Sequence, residues 1–284
     1  MVTRVGIVVD RVRPDERLLF EAVKKVGGQL VIIDSKTRKF SLTKPNDIEV
    51  DVIIMRCVAT LKGLYITFVL ENQGLEVINP YLIAENCFDK VKTSVLLAKN
   101  GVPTPKTVVG FDVKSAFQIA EEMGYPVIFK PVIGSWARMV AKVNDPQTAK
   151  TLLEHRSLLG NAYHKIYYIQ EYIAKPDRDI RSIVIGEEVI PIYRVIQTES
   201  EWRTNTALGG RAEPCPLTPE IEELSLKAAE AVGGGILGVD LIENKDQLMV
   251  LEINHSTEFK NVQKVTGVNI AEKIIQYAIN KVRK

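Results

Sequence analysis

The stretch Gly238-Val-Asp-Leu-Ile-Glu-Asn-Lys-Asp-Gln-Leu-Met-Val-Leu-Glu-Ile-Asn254 reads as two apolar strands joined by a short polar turn. Three oxygen-bearing side chains, Asp240, Glu252 and Asn254, stand where a core strand would carry hydrocarbon. Side chains alternate across a strand, so Glu252 and Asn254 share a face. If Asn244 pairs with Leu248 around Lys245, Asp246 and Gln247, Asp240 falls opposite Glu252, and two carboxylates and an amide oxygen converge. Carboxylates placed so inside an apolar sheet repel one another and lose hydration unless a cation or a proton lies between them. Oxygen-only ligands select a hard ion, and two or three of them, with room for water and phosphate, suit Mg²⁺ better than a closed Ca²⁺ cage. The competing reading is a plain hairpin whose acids point to solvent.

Outward from this hairpin, the chain of 284 residues is long enough for about two domains, and 46% hydrophobic with 25% charged residues is ordinary for a soluble globular enzyme. A formal net charge of +2, with scattered Lys and Arg, is too small to argue for a nucleic-acid partner, and none is expected. Cys57, Cys87 and Cys215 are odd in number and far apart, which suggests neither a disulfide framework nor a zinc site and fits a reducing cytoplasm. The opening Met1 to Asp10 has an apolar run too short for a signal sequence, and no segment is apolar over a bilayer-spanning length, so a soluble cytosolic protein is expected. The oligomeric state stays open.

Short branched apolar runs at Val5 to Val9, Leu30 to Ile33, Val52 to Met55 and Val77 to Asn79 alternate with helical stretches at Glu16 to Lys25 and Gly63 to Asn72. That alternation predicts a parallel sheet covered on both faces. No Gly-x-Gly-x-x-Gly follows the first strand, which disfavours a dinucleotide oxidoreductase. A helix beginning near Phe88 carries Asp89, Lys90 and Lys92 and ends at Asn100-Gly101, before the extended Val102-Pro-Thr-Pro105. A helix over Val113 to Met123, a strand Pro126 to Lys130, the turn Pro131 to Arg138 and a strand Met139 to Val143 follow. A glycine-containing loop between two strands is not a P-loop, yet the backbone of Gly134, Trp136, Ala137 and Arg138 and the Ser135 hydroxyl could close over phosphates; an ordinary hairpin turn is the alternative. The strand Ile166 to Tyr172 leads into Gln170, Glu171, Tyr172 and Ile173, whose backbone could read an adenine edge with Glu171 facing the amino group, and then into the charged stretch Lys175 to Arg181. Arg194, Trp202, Arg203 and Asn205 precede the flexible Ala207 to Gly210, Pro219 to Val232 is an amphipathic helix stopped by glycines, and Ala271 to Lys284 is a closing helix. Lys130 is the most telling cation, because it ends an apolar strand where a solvated lysine gains nothing.

Cations for phosphates, a mobile cover and a carboxylate-bound Mg²⁺ are what phosphoryl transfer requires. The chain here resembles the ATP-grasp carboxylate-amine ligases, in the branch of the ribosomal-protein glutamate ligases. The resemblance is carried by Asp89 to Lys92, Ile128 to Pro131, Gly134 to Arg138, Gln170 to Ile173, Arg178 to Arg181, Glu201 to Asn205 with Gly209-Gly210, Val239-Asp240 and Leu251 to Asn254. It implies an α/β ATP-grasp fold: an N-terminal parallel α/β domain over residues 1–87, then two α+β subdomains, 88–172 and 173–284, that clamp ATP.

The resemblance further implies that Lys92 and Lys130 bind phosphates, with Arg181 and Asn205 beside them. Residues 134–138 close over the phosphates, Gln170 to Ile173 hold adenine, and Asp240, Glu252 and Asn254 hold Mg²⁺. Arg194, Thr206, Ala207, Glu258, Phe259, Lys260, Asn261 and Val262 border the second substrate, and Arg203 steadies an acyl phosphate. Glu201-Trp-Arg203 and Asn254 to Asn261 are similar to a narrower group of lysine-biosynthesis ligases, whose partners are a small acidic carrier protein and α-aminoadipate; glutamate is the alternative amino acid. Ala137 replaces a usual glycine, tolerable only if no positive φ is needed there, and Val262 matches neither substrate pattern. Rival readings are a ligase extending another peptide or a ribosomal protein, a nucleotide-binding regulator without turnover, and a scaffold.

Overall fold

The computed structural model describes residues 2–134, 136–196, 204, 210–245 and 247–283. Its first unit is a parallel sheet in the order β2-β1-β3-β4, from β1 (Arg4–Val9), β2 (Gln29–Asp34), β3 (Val52–Met55) and β4 (Val77–Ile78). α1 (Pro14–Lys25) and α2 (Thr60–Glu71) lie between these strands, α1 opening with Pro at its first turn and Asp15 and Glu16 against the helix dipole. All four residues of β3 are buried, as a strand sandwiched on both faces requires.

α3 (Tyr81–Phe88) and α4 (Lys90–Lys99) connect to a second sheet, β5-β8-β6-β7, formed by β5 (Thr107–Gly110), β6 (Val127–Lys130), β7 (Ala141–Val143) and β8 (Tyr167–Glu171). The helices α5 (Val113–Met123) and α6 (Pro146–Leu159) bury Ala116, Ala120, Ala149 and Leu153 against Phe129, Tyr167 and Ile169 of that sheet. The third sheet is antiparallel, β11-β10-β9-β12-β13, from β9 (Arg178–Ile185), β10 (Glu188–Val195), β11 (Arg211–Pro214), β12 (Ile236–Glu243) and β13 (Leu248–Asn254). α7 (Pro219–Val232) covers one face, and α8 (Lys260–Thr266) and α9 (Ile270–Arg283) cover the other. Those last helices also pack on α1 and β3, so one apolar core runs from Val5, Val52 and Leu19 through Ile274 and Ile275 to Ile183 and Ile192. No helix among the described residues is long and apolar enough to cross a membrane.

The hairpin that opened the reading differs at its turn. Glu243, not Asn244, pairs with Leu248, which leaves a turn over residues 244–247 closed by the Asn244 N–H donating to the Gln247 carbonyl at 2.9 Å. A one-residue slip of this kind would turn every side chain to the other face. The slip is cancelled by a register shift beyond Asp240, where Leu251 is the extra residue, and Asp240 again stands opposite Glu252. The helices α3, α6 and α8 and the strands β5, β9, β10 and β11 are not among the elements expected from the sequence, β9 because its charged residues mask a strand.

Asn79, at the end of β4, stitches the first sheet to the third. Its Nδ2 donates to the carbonyls of Ile236 at 2.6 Å and His255 at 2.7 Å, and its Oδ1 accepts from the Ile236 N–H at 2.8 Å. Asn79→Ala strands these buried backbone groups, and a loss of about 2–4 kcal/mol is expected. Urea denaturation followed by circular dichroism reads it; an unchanged midpoint would show that the stitch carries no stability.

Candidate active site

The three units enclose one cleft, and β13 runs along its floor. At one end an apolar slot is formed by Ile128, Ile173, Ile242 and Leu251, with Tyr172 at its margin and Lys142 Nζ 3.7 Å from the centre of that ring. Glu171 lines the slot, and its Oε1 accepts from the Lys106 N–H at 2.6 Å. The Gln170 side chain is buried and turned inward, its Oε1 accepting from Lys130 Nζ at 2.6 Å and its Nε2 donating to Thr107 at 3.0 Å. Such a residue orients the lysine and leaves the backbone of β8 for the slot.

Lys130 ends β6 and is buried at the middle of the cleft. Burial pulls its ammonium down to about 8; Glu252 opposes this and Lys90 adds to it. The second cation here is Lys90, whose Nζ donates to the Gly134 carbonyl at 3.1 Å and lies 3.7 Å from Glu252. Lys92, expected to share this role, points out of the cleft and pairs with Glu85 at 3.2 Å. Helix geometry is the reason: Asp89 caps α4, and at about 100° per residue two lysines two positions apart face opposite ways.

Asp240 is buried and gripped by two guanidinium groups. Arg181 engages both of its oxygens, Nη2 at 2.7 Å from Oδ2, and Arg194 Nη2 lies 3.1 Å from Oδ2. Arg194 also donates through Nε to Asp179 at 2.7 Å, and the Thr204 hydroxyl donates to Asp179. Burial pushes Asp240 up, yet Arg181 and Arg194 outweigh it and hold the carboxyl below the usual carboxylate range. Glu252 stands opposite Asp240, and Asn254 shares the strand face of Glu252. The buried Asn254 Nδ2 has no partner among the described residues. Turned over, the amide would present its oxygen to the same point, the orientation a cation selects. No group of three or more His, Cys, Asp or Glu side chains able to hold a metal occurs among the described residues. Glu252 and the Asn254 amide oxygen nevertheless fit a hard divalent ion that takes other ligands from phosphate and water, while Asp240, both oxygens met by arginines, joins only through a lone pair they leave open.

Past Asn254 the chain crosses to the first unit. A Cβ on Gly238 would lie 2.4 Å from Thr257 Oγ1, so only glycine lets this crossing pass so close to β12. Glu258, Lys260, Asn261 and Val262 line the cleft, facing Arg13, Cys57 and Val58 of the first unit. Phe259, expected at the substrate, is wholly buried in the core with Arg56 over its ring. Over the centre, Gly134, Trp136, Ala137 and Arg138 form a rim, and Arg138 stacks on Trp136 at 4.8 Å. Ala137 takes φ +52°, and Trp136 takes φ +60°, so the loop does use the left-handed region at the position where glycine was missing. An L-residue enters that region at a cost of about 1–2 kcal/mol each. Ser135, Arg203, Asn205, Thr206 and Ala207 lie outside the described residues.

Sequence reasoning missed Lys90, Arg13, Asp179, His255 and Lys175, all of which line the cleft. Helical phase could have found Lys90. Nothing local could have found Arg13, which meets Glu258 from 245 positions away.

The fold and cleft define a nucleotide-dependent ligase architecture, and the chain belongs to the RimK-like ATP-grasp family, whose domain matches residues 87–278. Residues 5–86 match the LysX preATP-grasp domain. The chain is 40% identical over 275 residues to the alpha-aminoadipate–LysW ligase LysX of Saccharolobus solfataricus, covering 96% of this chain and 99% of that protein. It is 35% identical over 278 residues to the glutamate–LysW ligase ArgX of Sulfolobus acidocaldarius, covering 98% of each. A RimK domain ATP-grasp protein from Sphaerobacter thermophilus superposes with a TM-score of 0.83 at 24% identity, over 97% of this chain and 99% of that one, and shows the shared fold.

Lys90→Met is expected to weaken ATP binding roughly tenfold or more, the value of one charge-assisted contact, and Lys92→Met to change it by less than about twofold. Calorimetric titration of both variants decides which lysine serves the cleft.

The depressed pKa of Lys130 also sets a pH dependence. The folded value, about 8, lies below that of an exposed lysine, so charging this group opposes folding below that pH, and the penalty fades as pH rises toward the unfolded value. In the unliganded protein the ammonium is lost as pH rises through about 8. ATP affinity should fall across that inflection, and the inflection should vanish in Lys130→Met; calorimetry from about pH 7 to about pH 9 tests both.

Proposed function

We propose that this chain is an ATP-dependent ligase that joins α-aminoadipate to an amino-group carrier protein of the LysW kind, in lysine biosynthesis. The observation that supports it most is the succession along β13 and its exit. Apolar Leu251 at the slot, Glu252 and Asn254 at the cation point and Glu258 to Val262 at the far end arrange nucleotide, transfer centre and amino acid in line. Full-length likeness to enzymes named for LysW and these amino acids gives the reading its substrates.

In this reading the side-chain carboxylate of the carrier's C-terminal glutamate attacks the γ-phosphorus of ATP. ADP leaves and an acyl phosphate forms. The α-amino group of aminoadipate then adds to the acyl carbon, an amide bond forms, the amine proton is lost, and phosphate departs. Lys90 and Lys130 neutralise the phosphates, and the rim of Gly134, Trp136, Ala137 and Arg138 keeps water from the acyl phosphate. A bound Mg²⁺ would spread the charge of the transferring phosphoryl group, and Glu252, Asn254 and Asp240 are the residues to hold it. Arg203 remains our choice for the acyl phosphate. The free thiols of Cys57, Cys87 and Cys215 fit the cytoplasm as the place of work.

Aminoadipate is favoured over glutamate because Val262, small and buried, closes the far end of the cleft without filling it. One methylene is worth about 10- to 200-fold in such a pocket. ADP release with carrier protein and either amino acid should give a kcat/KM for aminoadipate higher by a factor in that range. A reversed ratio would make the chain a glutamate ligase, and release without any carrier would remove the reading altogether.

A further inference from the structure

We propose that Arg13, supplied by the first unit, is a specificity-determining residue of this ligase: its guanidinium reads the distal carboxylate of an amino dicarboxylic acid. The inference rests on the ligase reading above.

Arg13 stands just before α1 and lines the far end of the cleft, opposite Lys260 and Asn261. Its orientation is fixed from behind. Nε and Nη2 each lie 3.0 Å from the two oxygens of Glu16, a fork on a fork. Glu16 is wholly buried and is held in turn by Arg56 Nε at 2.9 Å. The loop facing Arg13 is pinned by the same helix end. Asp15 accepts from the N–H groups of Phe259 at 2.6 Å and Lys260 at 3.0 Å, and Arg56 donates to the Thr257 carbonyl at 2.9 Å. Arg13 is therefore held at a set distance from the loop that borders the amino acid.

One carboxylate already occupies its free edge: Nη1 donates to Glu258 Oε1 at 2.7 Å, and that side chain is 40% exposed. Glu258 is thus a protein-borne stand-in for a ligand carboxylate, and it is free to swing away. Of the five N–H groups on a guanidinium, three are engaged, which leaves two for an incoming carboxylate. The cations nearer the transfer centre have other roles: Arg181 and Arg194 hold Asp240, and Lys130 and Lys90 serve the phosphates in the ligase reading. Direction follows from β13, which advances about 3.3 Å per residue from the slot to the cation point and on toward Glu258. An amino acid whose amine sits at the acyl carbon must extend its other end toward residue 258, where Arg13 waits.

The test measures kcat and KM at saturating ATP and carrier for aminoadipate and for 2-aminohexanoate, which has a methyl group in place of the distal carboxylate. Arg13→Met should raise the KM for aminoadipate roughly 10- to 100-fold, with kcat within about threefold and the KM for ATP unchanged, while 2-aminohexanoate is affected less than about twofold. Arg13→Lys should recover part of the loss, since the charge stays and the fork goes. Glu258→Gln approaches from the other side and leaves the Glu16 pair intact. It removes the internal competitor and should lower the KM for aminoadipate. An unchanged KM in Arg13→Met, an equal rise for both amino acids, or an unchanged or higher KM in Glu258→Gln overturns the proposal and leaves the ligase reading standing. A wild-type protein that uses no amino dicarboxylic acid removes both.

Discussion

Four charged side chains, three of them buried and Arg181 partly so, hold the third sheet in register. Arg194 is the cross-strand partner of Asp179 between β10 and β9, and Asp240 is the partner of Arg181 between β12 and β9. Arg194 reaches across to Asp240 as well, which joins the two pairs into one neutral array. An array of this kind specifies alignment more than it adds stability, since a slip by one residue would leave each charge buried beside hydrocarbon. The Leu251 irregularity then sets Glu252 against an Asp240 whose position is already decided. Everything at the centre of the cleft inherits its place from this alignment, including the buried Asn254 amide, whose Nδ2 lacks a partner among the described residues.

The array also moderates the centre electrostatically. Burial works against the charge on Arg194, and Asp179 and Asp240 more than restore it, so the guanidinium stays charged throughout the accessible pH range. Lys130, with only the neutral Gln170 as its hydrogen-bond partner, draws from Glu252 and Asp240 less support than burial takes away. One site therefore holds two kinds of cation: arginines locked to carboxylates as framework, and lysines whose charge answers to what binds beside them.

Much of this was legible in the sequence. Branched apolar runs gave the parallel first sheet, and the acids embedded in the last hairpin marked the centre, because both signals are local and repeat with the period of a strand. What stayed hidden is physical in each case. The strand β9 carries Arg178, Asp179 and Arg181, charges whose partners come from β10 and β12, so its pattern reads as surface until those partners are known. The family likeness points to Lys92, whereas the phase of α4 turns Lys90 into the cleft and Lys92 toward Glu85. Ala137 was judged by its missing glycine, and the loop bends through the left-handed region regardless. The resemblance to known ligases supplied the substrates, which no count of charges could have given, because aminoadipate and glutamate carry the same groups.

The place of α9 bears on how the chain comes into being. Ile274, Ile275, Ala278 and Ile279 complete the core beneath α1 and β3, yet they are translated only after both other sheets. A nascent chain must hold its first sheet with the face beneath α1 only partly covered while the central and final units emerge, and only then can α9 complete it. The first eighty or so residues are thus a domain by topology and a dependent by folding, since part of their core is supplied by a helix far along the chain.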